Sequence, residues 1–319
     1  MTRGATRSIR AHGRVVEVDG RLERRLEEAV RRVDPAVIVS EYAKITPRIV
    51  AAGANLKGIV VWGVGFDHVD VGSASAKGVY VVNTSGSNAE SVAEHAFALI
   101  FSLSRHLPQF DGLVRSGLWT TREETGLPAK LLPQDLAGKT LGVVGLGSVG
   151  RRVAGMGKGF GMNVIAHDPY VGADSAKRLG VKLTNLPNLL KQSDIVTLHL
   201  ALSKDTKGMI GPKQLSLMRR TALLVNTSRG AVVDEDALIK AIRSKKIAGA
   251  GLDVFEREPI AAENPLLSLD NVVLTPHCAG MSREAMDATS LAVSREAVRI
   301  LRGELPVSLV NKVQLFRDR

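Results

Sequence analysis

The stretch Thr140–Gly150, TLGVVGLGSVG, constrains the fold of this 319-residue chain more than any other. A β-branched apolar run (Leu141, Val143, Val144) feeds into Gly145-Leu146-Gly147-Ser148-Val149-Gly150, and a second strand-like run, Asn163 to His167, ends at Asp168. Strand, glycine turn, helix, strand and acid, in that order, are what a dinucleotide needs. The first glycine permits the tight turn. The second lets the backbone approach a pyrophosphate, and the third lets helix and strand pack closely. The helix start offers unpaired N–H groups and a partial positive charge to the phosphates. Asp168 can accept hydrogen bonds from both ribose hydroxyls. Its charge favours NAD over NADP, and Pro169 and Tyr170 follow it rather than an arginine. The competing reading is an ordinary βαβ turn with a solvent-facing aspartate; the full set of parts at the right spacing favours the NAD site.

A chain of this length predicts two domains. There is no apolar run long enough to span a bilayer, and MTRGATRSIRAHGR lacks the apolar segment of a signal peptide, so neither membrane nor export is expected. The one cysteine, Cys278, excludes an internal disulfide and fits a reducing cytoplasm. The net charge of +11 raises the question of nucleic acid. The basic residues are interspersed with acids, as in RLERRLEEAVRR (21–32), and aromatics are only 4%, so stacking platforms are not expected. A positive balance suits an anionic cofactor and a small anionic substrate.

Strand and helix patterns alternate, which predicts an α/β fold with mainly parallel sheets. In a first block, Val15–Val18, Ala36–Val39, Gly58–Trp62 and Val79–Val82 read as strands, with a helix over Arg21–Val33 and a helix start at Thr46-Pro47. An apolar helix over Ala89–His106 has two hydrophobic sides and predicts burial on more than one face, including against a second subunit in a homodimer. Arg115–Pro133 reads as irregular. A second block has six strand candidates: Leu141–Val144, Asn163–His167, Asp194–Leu198, Ala222–Asn226, Ile247–Asp253 and Val272–Leu274. Six fit two mononucleotide-binding halves. The helix Ser282–Gly303 and the tail Pro306–Val313 close the chain.

Three later strands end in polar residues, at the sheet edge where ligands bind. Arg229, in NTSRG, has the guanidinium to hold a carboxylate through paired hydrogen bonds, or else pairs with Asp234 or Glu235 at the surface. GLDVFEREP (251–259) carries Asp253, Glu256 and Glu258, a set of acids or simply a charged loop. His277, in LTPHCAG, becomes a proton donor if one of those acids reaches its imidazole. Metal binding is not expected: the other histidines (12, 68, 95, 106, 167 and 199) show no ligand spacing, and there is no second cysteine.

Taken together, GLGSVG, Asp168, NTSRGAVVDEDAL, GLDVFEREP and LTPHCAG resemble the D-isomer-specific 2-hydroxyacid dehydrogenases, a family that includes phosphoglycerate dehydrogenases and glyoxylate or hydroxypyruvate reductases. GVGFDHVDV (63–71) and NTSGSNAESVAEHAFAL (83–99) resemble its substrate-side loop and the lead into its dimer helix. The resemblance runs from about Gly13 to Val313. It implies a Rossmann NAD-binding domain over 88–282 and a smaller flavodoxin-like substrate domain over 1–87 and 283–319. It further implies that Arg229 binds the substrate, that His277 is the acid/base and that Glu258 holds it protonated. Val64 and Gly65 would cradle the carboxylate. Cofactor would be met by Thr84, Gly145, Gly147, Ser148, Val149, Gly150, Asp168, Leu200, Thr227, Ser228, Arg229, Asp253, His277 and Gly280. The implied reaction is NAD-dependent interconversion of a small 2-oxo acid and its D-2-hydroxy acid. Phosphoglycerate oxidation and a non-catalytic, corepressor-like NAD sensor are the alternatives. A formate-type dehydrogenase would carry Gln where Glu258 stands.

Two departures bear on these expectations. Met1–Ala11 has no apolar strand where family members begin with one. Ser40, beside Glu41, stands where phosphoglycerate-specific members tend to carry an arginine, which favours a small unphosphorylated substrate unless Lys44 substitutes. Gly155, Gly157 and Gly159 lie inside the helix after the glycine turn, where close packing on the sheet is the obvious reason for them.

Overall fold

A computed structural model describes residues 1–20, 22–119 and 132–311. Arg21, most of the Arg115–Pro133 stretch expected to be irregular (120–131) and the end of the expected tail (312–313) lie outside the described residues. The chain forms two compact units, Met1–Asn88 with Met281–Arg319, and Ala89–Gly280.

The larger unit is built on seven parallel strands: β4 (Thr140–Val144), β5 (Asn163–His167), β6 (Lys182–Leu183), β7 (Ile195–Leu198), β8 (Leu223–Asn226), β9 (Gly249–Leu252) and β10 (Val272–Leu274). Their order is β10-β9-β8-β7-β4-β5-β6. It reverses between β4 and β7, the doubly wound arrangement, and crevices for ligands form at the carboxyl ends beside such a reversal. Strands β7, β8 and β9 bury nearly every residue, because a parallel sheet is covered on both faces, and so they read as continuous apolar runs. The seventh strand, β6, pairs through only two residues and is too short to leave a periodic signal.

Helix α5 (Ala89–Ser104) packs on this sheet. Its Ala93, Ala96, Phe97, Leu99, Ile100 and Leu103 are all buried within the chain, and a Cβ on Gly251 would stand 3.0 Å from Leu99 and 3.2 Å from Leu103. The apolar residues of α5 are therefore buried within the chain, and its burial does not by itself require a second subunit. Helix α6 (Leu107–Arg115) follows it. Helix α7 (Ser148–Gly159) explains one glycine of three. A Cβ on Gly157 would stand 2.7 Å from Leu141 and 3.3 Å from Val164, whereas Gly155 and Gly159 face open space and nothing in the structure explains them.

The smaller unit holds three parallel strands in sequential order, β1 (Val37–Ser40), β2 (Gly58–Val61) and β3 (Tyr80–Val82). Helices α2 (Glu23–Val33), α3 (Pro47–Ala52) and α4 (Val71–Ala76) alternate with them. Leu26, Ala29 and Val30 bury one face of α2, and Asp34 ends it in the left-handed region. Thr46 occupies the N-cap position of α3, but its hydroxyl donates to Glu23 Oε1 at 2.7 Å instead of capping the helix.

Val15–Val18, expected as a strand, forms no strand with any of the described residues, and Val16 and Val18 are exposed. Alternating valines alone do not make a strand without a neighbour to complete the ladder. The first residues instead form α1 (Arg3–Arg10), which no sequence signal had marked. The Thr2 side chain accepts from Ala5 N–H, and Thr2 N–H donates to Ser290 on α12 (Arg283–Leu301). Val293, Ala297 and Ile300 of α12 pack against Val60 and Val82. A Cβ on Gly58 would stand 2.5 Å from Ile300, so this glycine lets the last helix lie directly on β2.

Candidate active site

The carboxyl ends of the larger sheet collect most of the residues singled out from sequence. After β4, Gly145 adopts φ +91°, and a Cβ there would stand 2.5 Å from the His199 carbonyl and 3.0 Å from Leu200. A Cβ on Gly150 would collide with the Gly145 carbonyl, while one on Gly147 would meet nothing. The three glycines thus serve a left-handed turn, an open approach and a close helix–strand contact, as expected. Ser148 and Val149 open α7, with Gly147 as its N-cap. Asp168, at the end of β5, reaches back to the turn: its Oδ2 accepts from Leu146 N–H at 2.8 Å and its Oδ1 from Tyr170 N–H at 2.9 Å.

Two buried polar atoms at the carboxyl ends of the sheet, His199 Nδ1 after β7 and Thr227 Oγ1 after β8, have no hydrogen-bond partner among the described residues. Burial pushes the His199 pKa down to about 3, so the ring is neutral at physiological pH. Its Nε2 sits 2.9 Å from Thr197 Oγ1. Orphaned buried polar atoms are uncommon in native proteins and call for a partner. With the open face at Gly147 and the acid at Asp168, they fit a dinucleotide. His199 escaped sequence reasoning because only the turn after β7 reveals its proximity to Gly145.

After β8, β9 and β10 the polar groups other than the Thr227 hydroxyl are largely bonded to one another. Asn226 ends β8 and organises the next turn: its Oδ1 accepts from Ser228 N–H and Oγ–H, and its amide donates to the Arg229 carbonyl. A Cβ on Gly230 would overlap the Phe255 carbonyl, so only glycine lets this turn lie against the 255–258 loop. The surface partners once open to Arg229 have other tasks: Asp234 caps the helix over Glu235–Arg243, and Glu235 bonds Asn264 and Glu256 N–H.

Glu258 accepts from Phe255 N–H through Oε1 at 2.9 Å, and its Oε2 lies 2.6 Å from His277 Nδ1. Burial opposes the Glu258 charge, but the His277 hydrogen bond, the Phe255 N–H and the positive charges of His277 and Arg229 outweigh it and hold the carboxyl below its ordinary range. Of the acids in GLDVFEREP, Glu258 is therefore the one that meets the imidazole. His277 itself has φ +52°, a conformation that costs a non-glycine residue energy and clusters at functional sites.

Asp253, expected to meet cofactor, is fully buried, and its carboxylate serves the loop that carries His277. It accepts from Thr275 Oγ–H at 2.6 Å and from the N–H groups of Cys278 and Ala279 at 2.9 Å. Gly280 ends the unit just beyond. His95 and Cys278, far apart in sequence, bring ligand-type atoms within 4.8 Å of one another and of Asp253, a grouping that spacing could not reveal.

In the smaller unit, Gly63–Gly65 follow β2. Thr84, also expected to meet cofactor, is buried, with its hydroxyl accepting from Gly63 N–H and donating to the Gly63 carbonyl, so it clips this loop. Asn83 donates to the Val64 carbonyl at 2.8 Å. Ser40 is likewise buried and donates to the Ala43 carbonyl, which leaves Lys44 as the exposed base of that segment.

Comparison with known proteins agrees with this architecture. Residues 97–279 match the family model of the D-isomer specific 2-hydroxyacid dehydrogenase NAD-binding domain. A glyoxylate reductase of Korarchaeum cryptofilum is 44% identical over 268 residues, 84% of this chain and 80% of the relative. A D-3-phosphoglycerate dehydrogenase of Archaeoglobus fulgidus is 42% identical over 94% of this chain, which spans only 55% of that relative's length. A solved glyoxylate reductase from Paecilomyes thermophila superposes with a TM-score of 0.87 at 30% identity, covering 97% of this chain and 94% of that one. The chain belongs to the D-isomer-specific 2-hydroxyacid dehydrogenase family, and its larger unit is the NAD-binding domain.

Proposed function

We propose that this protein interconverts a small 2-oxo acid and its D-2-hydroxy acid with NAD as hydride carrier. The observation that carries the reading is the 2.6 Å contact between His277 and Glu258, on a loop whose neighbour presents Arg229. A bound nicotinamide supplies or accepts the hydride. His277 gives a proton to the carbonyl oxygen in reduction and takes it back in oxidation. Glu258 orients the ring and favours its charged form. Arg229 binds the carboxylate and the developing alkoxide. Asp168, the three glycines, Ser148, Val149, Leu200, Thr227 and Ser228 hold the cofactor. Val64 and Gly65 offer their backbone to the substrate carboxylate.

Ser40 supports an unphosphorylated substrate, since its one hydroxyl is spent inside the chain. Glyoxylate and hydroxypyruvate should be reduced at least as efficiently as 3-phosphohydroxypyruvate, read as kcat/KM by NADH absorbance. A phosphorylated substrate that wins by more than tenfold, and loses that advantage in Lys44→Ala, would establish the phosphoglycerate reading instead.

Burial and the adjacent Asp253 charge both raise the Cys278 thiol pKa; the single cysteine is compatible with a cytoplasmic setting. A homodimer built on the region of the Ala89–His106 helix is part of this reading, and the exposed Leu107, Val114, Leu118 and Trp119 just after it supply apolar surface for such a contact. A monomer by light scattering at micromolar concentration would exclude it.

A further inference from the structure

The trio His95, Asp253 and Cys278 has the residue types of a metal site, but its hydrogen bonds point elsewhere. Three donors on the 275–279 loop already bond the Asp253 carboxylate: one hydroxyl and two backbone N–H groups. The His277 N–H also donates to the Asp253 carbonyl at 2.8 Å. The loop is thus clasped on both sides of His277 by a single buried acid.

The clasp has one further member. His95 Nε2, on α5, lies 2.9 Å from Thr275 Oγ1 and 3.6 Å from Asp253 Oδ1. A hydroxyl carries one proton, and an ionised carboxylate can only accept. Thr275 therefore gives its proton to Asp253 and must receive one from His95. This fixes Nε2 of His95 as a donor and orders a chain from α5 through Thr275 to Asp253. Every bond in it bears on the backbone that holds His277 at φ +52°.

We propose that His95 is a positioning residue for the acid/base: its Nε2–H locks Thr275 onto Asp253, and this keeps the left-handed His277 aimed at Glu258. The inference rests on the proposed role of His277. Small misplacements at a distance from the chemistry can cost large factors in rate, because the reacting geometry is narrow.

The test uses the full chain with NADH and glyoxylate or hydroxypyruvate. His95→Leu removes the donor, and kcat should fall at least tenfold, with KM for the oxo acid and Kd for NADH (by fluorescence) within threefold of wild type. His95→Gln carries an amide N–H near the Nε2 position and should restore kcat to within threefold. Thr275→Val should match His95→Leu, and the double variant should be no worse than the poorer single, because both break one chain. Thr275→Val carries the same prediction if His95→Leu does not fold. A His95→Leu enzyme with kcat within threefold of wild type overturns the inference, as does a Gln variant as impaired as Leu, or effects that multiply in the double variant. His277→Ala is measured alongside. If it keeps near-normal turnover, the reading of His277 fails, and this inference with it. If His277→Ala is inactive while His95→Leu is normal, only the role of His95 fails.

Discussion

The two halves of the NAD-binding sheet solve opposite problems. After β4 and β7 polar groups and backbone are left open: a bare face at Gly147 and a His199 Nδ1 with no hydrogen-bond partner among the described residues. After β8, β9 and β10 the polar groups other than the Thr227 hydroxyl are largely closed on one another, with Asn226 tying the Arg229 turn, Phe255 N–H holding Glu258 and Asp253 clasping the His277 loop. A recognition surface must leave donors and acceptors for its ligand. An acid/base must be held in one pose by partners that do not leave.

The largest effect should come from the saturated half. His277→Ala should lower turnover about 10²- to 10⁴-fold while leaving the NADH Kd within threefold, because general acid catalysis contributes on that scale. Loss of NADH binding in this variant would break the division between the halves.

In the open half, Asp168→Ala should reduce a preference for NAD over NADP of at least tenfold, seen in the ratio of kcat/KM for the two cofactors, because the repelled 2′-phosphate no longer meets a carboxylate. Wild-type enzyme that uses both cofactors equally would remove Asp168 from selection.

The Glu258–His277 pair sets a pH dependence whose sign is fixed by its charges. The imidazolium and the Arg229 guanidinium favour the Glu258 anion, and the anion favours the imidazolium in return. Glu258→Gln should therefore move the alkaline fall in the reduction rate to lower pH. Because the folded-state Glu258 pKa is depressed, the stability it contributes is present above its unfolded value and is lost as pH falls through the lowered one. An unchanged pH–rate profile in Glu258→Gln would take this residue out of the mechanism.

The smallest effects test packing beneath both halves. Gly155→Ala should raise stability by about 1 kcal/mol, since helix propensity improves and a Cβ meets nothing. Gly157→Ala, pressed on Leu141, should lower it by about 1–3 kcal/mol. Paired denaturation midpoints decide, and two changes of the same sign would refute the contrast.

Much of this was legible in the sequence, and where it was legible the reason is local. The glycine turn and Asp168 could be read because each glycine answers a backbone requirement within its own βαβ unit. The central strands of the larger sheet could be read as apolar runs, because β7, β8 and β9 are buried on two faces. Arg229, Glu258 and His277 stood out as polar residues at strand ends, although which acid meets the imidazole needed the folded loop. Expectations failed where a partner outside the segment decides. Val15–Val18 had the pattern of a strand but forms none with the described residues, and α1 had too little apolar surface to register until α12 lay against it. What Thr84 and Asp253 bond inside the chain, Gly63 and the His277 loop, was likewise beyond the sequence. The sequence by itself determined the doubly wound sheet, the NAD turn and the types of residue available for hydride and proton transfer, because periodicity and turn chemistry act over a few residues. Only the tertiary structure decided which of those residues face a ligand and which brace one another, because a hydrogen bond between His95 and Thr275 joins positions 180 residues apart that no local pattern relates.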